Sequence, residues 1–419
     1  MSWIRAALII ASASLVGAGA VAVVARTPAA VRSARPPPSA TDPGRGADFT
    51  DEQVARHGAY SEAGYGGFLA RLAIGVVTLL VLARGPVTRL GDALAGVWGG
   101  WVVGAAAVAV IITGVVTVAN LPLGYVLGFA NQHAWGLSTQ DLGGWFSDRL
   151  RGLLVGVITS AIAAVAFIGV VRWQPRWWPV WGWGAFTGLT VLFVFLWPLV
   201  VAPLFNRFSP LADGSLRSRA LALASEAGVS IDDVLVADAS KRTTAENAYV
   251  AGLGASRRLV LYDTLATGAT EDEAAFVIAH ELGHEVERHV VKNVVVASLG
   301  LAAGFTALAW LAGRSAIWEW GGASGIGDVR ALPLLLLFVT AANLVALPIE
   351  SAVSRRFEAR ADEIAVELTD DPATAVGAFR RLAFKNISDL RPPAVARWIL
   401  FSHPPIPERI ERALAARSP

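Results

Sequence analysis

Seven apolar runs dominate the chain, at 6–25, 67–83, 98–119, 152–171, 178–202, 293–312 and 331–349. A helix rises about 1.5 Å per residue, so ~20 apolar residues cross the ~30 Å hydrocarbon core of a bilayer. Lipid offers no hydrogen bonds to a bare backbone, and a single run can cross only as a helix. The sequence therefore predicts a mainly α, polytopic bundle of about seven transmembrane helices. Composition agrees, with 54% hydrophobic residues and only 16% charged ones, where soluble domains carry about 25% charged. Trp173, Trp177, Trp178, Trp181 and Trp183 crowd the start of the fifth run as an interfacial belt would.

Arginines sort the loops. If the spans alternate, segments 26–56, 203–293 and 350–419 share one arginine-rich side, while the opposite loops hold few, such as Arg84, Arg89, Arg172 and Arg176. The positive-inside rule makes the rich side cytoplasmic and the chain a multi-pass cell-membrane protein. The first run, with Arg5 before it and Ala20, Ala22 and Ala25 near its end, also has the features of a signal peptide. We read it as a retained span, since its removal leaves the remaining alternation intact. Residues 1–65 then hold this span and a flexible, Pro- and Arg-rich linker containing Pro36-Pro37-Pro38 and a solvated His57. Residues 66–202 are membrane helices, 203–292 the one sizeable polar region, 293–349 a membrane hairpin, and 350–419 a C-terminal helical part. The chain has no cysteine, which excludes disulfides, thiol catalysis and cysteine-held clusters. A net charge of +2, carried by arginines beside spans, gives no reason for a nucleic-acid partner.

Two of the six histidines fall in one pentapeptide, His280-Glu281-Leu282-Gly283-His284. On a helix, residues i and i+4 share a face, so two imidazoles converge on one metal with a glutamate beside them. The surroundings predict such a helix, with Thr270 and Glu273 forming a capping box and Glu271 and Asp272 placed where the helix dipole favours acids. A catalytic zinc takes three protein ligands, so a third donor is needed. Glu358 and Asp362, four apart on a second predicted helix, supply a candidate ligand and a partner for the outer N–H of a ligating histidine. Alone, that pair among arginines is equally the pattern of a salt-bridged surface. His289 lies five residues past His284, off the ligand face, and reads as structural or surface; His133 is left open.

Within 203–292, Asp213-Gly214 opens a predicted helix to Gly228, Val234-Leu235-Val236 reads as a buried strand, and Asn247 to Val250 and Arg258 to Tyr262 flank a Gly252-Leu-Gly254 turn as a hairpin. The metallopeptidase part is thus expected to contain a short β-hairpin or sheet, whose exposed edge can take an extended peptide beside the metal.

Pro203-Leu-Phe-Asn-Arg-Phe, Asp238-Ala-Ser-Lys-Arg, Asn247-Ala-Tyr, Arg258-Leu-Val-Leu-Tyr-Asp-Thr-Leu265, Ala279-His-Glu-Leu-Gly-His284, Ser354-Arg-Arg-Phe-Glu358 and Ser402-His403-Pro404 follow one another in that order. With Gln132-His133, Gly136 to Gln140 and Trp145 upstream, the set resembles the integral-membrane zinc CaaX prenyl proteases that process a-factor and prelamin A. The resemblance implies one zinc ion held by His280, His284 and Glu358, with Glu281 as general base and Asp362 behind the ligands. It further implies that His403 stabilises the oxyanion, that Asn247 and Ala248 contact the substrate backbone, and that Arg409 binds substrate or braces the site. The expected activity is a zinc metalloendopeptidase that cuts peptides or membrane proteins, lipidated or not, near the cytoplasmic membrane face by a zinc-activated water. HtpX-like quality-control proteases share the zinc motif and form the alternative, and a non-catalytic zinc-containing membrane scaffold is a third reading. An alanine- and arginine-rich, lysine-poor composition points to a GC-rich bacterium, where prenylated substrates are not expected.

Overall fold

The computed structural model describes residues 2–27, 29–32, 49–85, 100–252 and 257–416, together with Val87, Leu90 and Ala93. Pro36-Pro37-Pro38, Arg89 and the tip of the Gly252-Leu-Gly254 turn lie outside the described residues. Among those described, seven helices are long and apolar enough to cross a membrane. Five precede the polar region: α1 (Trp3–Val24), α2 (Asp51–Ala83), α3 (Gly100–Ala119), α4 (Leu142–Trp173) and α5 (Trp178–Leu196), the last continued by a π-helical stretch to Val201. In the polar region come β1 (Phe208–Pro210), α6 (Ser215–Glu226), β2 (Asp233–Ala237), β3 (Ala248–Ala251), β4 (Arg258–Tyr262) and α7 (Glu271–Val286). The remaining spans are α8 (His289–Ala312) and α9 (Leu332–Thr369), followed by α10 (Pro372–Asn386) and α11 (Ile406–Ala415).

Local signals set the helix starts. Thr50 and Gln53 form a capping box at α2, and Asp141 accepts from the Gly144 N–H at 2.6 Å to start α4. Each satisfies orphan N–H groups of a first turn. The cap at Thr50 corrects the linker reading, because residues 51–64 are the polar first half of α2 rather than a flexible tether. That half runs beside the catalytic part, where Tyr65 donates to Asp389 at 2.7 Å. His57 is fully buried there with Nδ1 2.7 Å from the Ser388 carbonyl, which overturns the expectation that it is solvated. α1 packs Ala6, Ile10, Ala18 and Val21 inward, and its Ser14 hydroxyl donates to the Ala119 carbonyl at the end of α3.

The sheet has strand order β1-β2-β4-β3. The expected hairpin forms, with Ala248 opposite Leu261 and Ala251 opposite Arg258 in an antiparallel β3–β4 pair. β4 also runs parallel to β2. Strand β1 was not foreseen, since three residues ending in Pro210 carry no alternation to read, and proline sits on an edge where no ladder N–H is needed. β3 is the other edge, and α7 packs against it.

α9 is a single helix of 38 residues that carries both the seventh span and the Glu358–Asp362 pair. The divisions expected at 65/66 and 349/350 therefore fall inside α2 and α9. A residue that faces the site is fixed to the same rod that crosses the bilayer.

Candidate active site

Helix α7 forms where the sequence places it. Thr270 and Glu273 cap each other's backbone, Glu271, Asp272 and Glu273 line the first turn, and Phe276, Ile278, Ala279 and Leu282 are almost wholly buried. Each large apolar side chain so buried contributes about 2 kcal/mol, and Phe276 meets Phe379 of α10 edge-on with ring centroids 5.1 Å apart. Gly283 sets how closely α9 approaches. A Cβ at that position would lie 3.1 Å from both Cα and the carbonyl oxygen of Ala361. The glycine in the pentapeptide thus serves helix–helix contact, and it brings Glu358 within reach of the histidines.

His280 Nε2 lies 3.2 Å from His284 Nε2 and 3.3 Å from Glu358 Oε2, and His284 Nε2 lies 3.5 Å from Glu358 Oε1. A tetrahedral ion with bonds of about 2.0–2.1 Å to nitrogen and oxygen has ligand–ligand edges of about 3.3 Å. The three observed edges bracket that value. Glu358 Oε2 is buried and accepts no aligned hydrogen bond, which is costly unless a cation completes it. The donor set and its spacing therefore fit a metal, and among the described residues this is the group that can hold one.

Both imidazoles are oriented from behind. His280 Nδ1 is 2.9 Å from Asp362 Oδ1, an ion-pair contact out of line for a hydrogen bond, and Arg409 of α11 grips the same carboxylate through Nε at 2.8 Å and Nη2 at 2.6 Å. Arg409 is buried and its fork is committed to Asp362. Of the two roles expected for it, bracing is the one these contacts carry, and Arg409 also lines the cavity beside Glu281. His284 Nδ1 is 2.9 Å from His289 Nδ1, and His289 is buried and stacked on Phe357 at 4.2 Å. Sequence reasoning missed this partner because it extended the α7 face past its end. Arg288 adopts a left-handed backbone, φ 53°, between α7 and α8, which turns His289 back toward His284. The only available signal was that a third histidine stood within five residues of the pair.

His403 Nε2 lies 3.2 Å from Glu358 Oε2, and its Nδ1 is 2.9 Å from the Ser402 hydroxyl. Glu281, His280 and His403 line a cavity of about 340 Å³ with Asn247 and Glu246 on one side and the apolar Phe276, Leu382 and Phe401 on another. Burial pushes the Glu281 carboxyl up to about 7, the range of a group able to exchange protons near neutrality. Burial lowers His280, but Asp362 and Glu358 outweigh it and hold the imidazole up at about 10. The negative potential that draws a proton there also favours a cation. Burial, with the neighbouring His280, holds His284 down at about 4.

Asn247 is exposed at the head of β3, its carbonyl accepting from the Tyr262 N–H, whereas the Ala248 side chain is buried and only its strand edge can face a ligand. Glu246, just before them, is clamped in a way the sequence did not disclose. Asn386 of α10 accepts from its N–H at 2.9 Å and donates to its carbonyl at 3.0 Å. Arg381 holds its buried carboxylate at 2.7 and 2.6 Å and comes within 3.8 Å of Glu273 in the α7 cap. One arginine thus ties the start of the edge strand to the start of the histidine helix. His133, left open by the sequence, is exposed and bonds the Phe129 carbonyl of its own turn, away from these groups.

Comparisons with known proteins match both halves of the chain. The family described as "CAAX prenyl protease N-terminal, five membrane helices" matches residues 31–207, and "Peptidase family M48" matches residues 210–417. The uncharacterized metalloprotease YhfN of Bacillus subtilis is 33% identical over 306 residues, covering 72% of this chain and 71% of its own. A CAAX prenyl protease 1 homolog of Oryza sativa is 29% identical over 298 residues, 70% of this chain and 69% of its own. CAAX prenyl protease 1 of Saccharomyces cerevisiae is 27% identical over 325 residues, 72% and 70% of the two chains. The crystal structure of S. mikatae Ste24p shares the fold, with a TM-score of 0.75 at 22% identity over 97% of this chain and 98% of that one. With a histidine pair and a glutamate spaced for a metal on helices rooted in membrane spans, this chain belongs to peptidase family M48 and is a membrane metalloprotease.

Proposed function

We propose that the chain is a zinc endopeptidase of the cell membrane that cuts peptide segments at the cytoplasmic surface of the bilayer. The observation that carries this reading is the triangle of His280, His284 and Glu358 donors, with edges of 3.2, 3.3 and 3.5 Å, beside the half-buried Glu281 at the wall of a cavity. His280, His284 and Glu358 would hold the zinc, which when bound supplies Lewis acidity and an acidified water. Glu281 acts as general base, taking a proton from the attacking water and passing it to the leaving amine. His403, at the cavity mouth, donates to the developing oxyanion. Asp362, braced by Arg409, keeps His280 presenting Nε2, and His289 does the same for His284.

The free edge of β3 receives the substrate as an added antiparallel strand, with Asn247 and the Ala248 backbone supplying its hydrogen bonds. The cytoplasmic assignment rests on the arginine asymmetry of the loops. Relatives named CAAX prenyl proteases suggest a peptide near its lipid anchor as substrate. The test is cleavage, by purified protein in detergent, of a farnesylated peptide ending in a CaaX sequence and of its unmodified twin. Cleavage of the lipidated peptide alone supports a CaaX-type specificity, and cleavage of both supports a broader endopeptidase. Cleavage of neither by zinc-loaded protein contradicts the proposal.

A further inference from the structure

On the face of the membrane helices nearest the catalytic part, several unpaired hydrogen-bond donors meet. The chain between α3 and α4 is opened by a π-helical turn, Val126–Asn131, a feature that often marks functional sites. Arg149 of α4 reaches into this turn. A Cβ on Gly128 would stand 2.9 Å from its Nη2 and 3.7 Å from the Trp145 Nε1. Trp145 is 2% exposed, yet its indole N–H has no hydrogen-bond partner. The Arg149 guanidinium lies over the same ring, 5.1 Å from its centroid. Arg71 of α2 stands one helical turn beyond Gly67, where α2 packs on Leu127 of the π turn, and adds a like charge to the field at Arg149.

Asp148 attracts Arg149 from a distance without bonding it. The neighbouring carboxylate, Asp148, is already shared among Arg242, Gln140 and Arg151. Among the described residues neither Arg149 nor Arg71 pairs with a carboxylate. A guanidinium beside a buried, unused N–H, with a second guanidinium on the adjoining helix, supplies the donors an anion requires.

The depth and surroundings indicate which anion. Asp148 joins α4 to Arg242 of the polar region, so Arg149 lies where the membrane helices meet the catalytic part, the level of lipid headgroups. Tyr125 and Phe146, whose rings meet Trp145, and the adjacent Leu150 are exposed, at 43, 49 and 67%, and would be covered by acyl chains in a bilayer. We propose that Arg149, Arg71 and the Trp145 N–H form a binding site for the phosphate of an anionic phospholipid headgroup. The inference is independent of the roles proposed for Glu281 and the metal ligands.

The test is thermal unfolding of the purified full chain in detergent, titrated with phosphatidylglycerol, phosphatidylcholine or inorganic phosphate. Phosphatidylglycerol should raise the midpoint at lower concentration than phosphatidylcholine. Arg149→Gln should weaken that response about tenfold, as loss of a charge-assisted hydrogen bond does. Trp145→Phe, which keeps the ring and removes only the N–H, should weaken it several-fold. Should Arg149→Gln not fold, Arg149→Lys keeps the charge without the fork and should fall between the two. Arg314→Gln, at the opposite end of the bundle, should respond as the parent does. Equal responses to the two lipids, an unaltered response in Arg149→Gln, or equal stabilisation by inorganic phosphate would overturn the proposal.

Discussion

Replacing Gly283 by alanine tests whether helix–helix distance sets the metal site. In an exposed helix interior this change would stabilise by about 1 kcal/mol. Here the new Cβ would stand 3.1 Å from the Ala361 Cα and carbonyl oxygen and 3.3 Å from the Ile364 Cβ, where apolar atoms prefer ~3.5–4.0 Å. Two of those three atoms are backbone and the third is a Cβ at its root, so no rotamer change relieves the contact. α9 must move off by roughly 0.4 Å or more, and such overpacking costs about 1–3 kcal/mol. The cost exceeds the propensity gain. The displacement is also directional: His280 and His284 share α7 and keep their 3.2 Å spacing, while the edges to Glu358, 3.3 and 3.5 Å, lengthen together. Metal affinity should therefore fall by about tenfold or more, the scale of losses when ligands are no longer held in place. Competition with a chromogenic zinc chelator measures it, alongside the unfolding midpoint. Parental affinity and an unchanged or raised midpoint in Gly283→Ala would refute the reasoning.

His289→Ala, which frees the Nδ1 of His284, should lower zinc affinity about 10- to 100-fold, and the same competition assay reads it. In the metal-free protein at pH 7.5, His280 is protonated, held at about 10, while His284, held near 4, is not. Zinc uptake should release about one proton, and affinity should rise with pH up to the His280 value, because the metal competes with that proton. Calorimetry in two buffers of different ionisation enthalpy checks this, and zero proton release would contradict it. Asn386→Ala loosens the head of β3 without touching the metal triangle, so kcat/KM should drop about tenfold with zinc content unchanged. Loss of zinc in that variant would instead mean that the clamp supports the whole fold.

Much of the site was legible because it is local. The i, i+4 pair in His280–His284, the second pair in Glu358–Asp362 and the Thr270 cap are each set by the geometry of one helix, and periodicity reads them directly. The spans were legible because bilayer thickness fixes the length of an apolar run. What escaped was non-local or depended on a break. His289 reaches His284 only through the left-handed turn at Arg288, and His57 is buried by a loop 331 residues away in sequence. The Glu246–Arg381–Asn386 clamp joins a strand to a helix 135 to 140 residues later, with ordinary surface-type residues at both ends. The length of α2 was hidden by its composition, since its first turns are polar and only Thr50 and Gln53 announce a helix.

The central claim is that Glu281 performs chemistry at a zinc held by other residues. The most direct measurement is zinc content and peptide cleavage on the same preparation of Glu281→Gln protein. The account predicts one zinc per chain, as in the parent, with cleavage reduced by about 10²- to 10⁴-fold, the contribution of a positioned general base. Zinc-loaded Glu281→Gln that turns over substrate at the parental rate would contradict it.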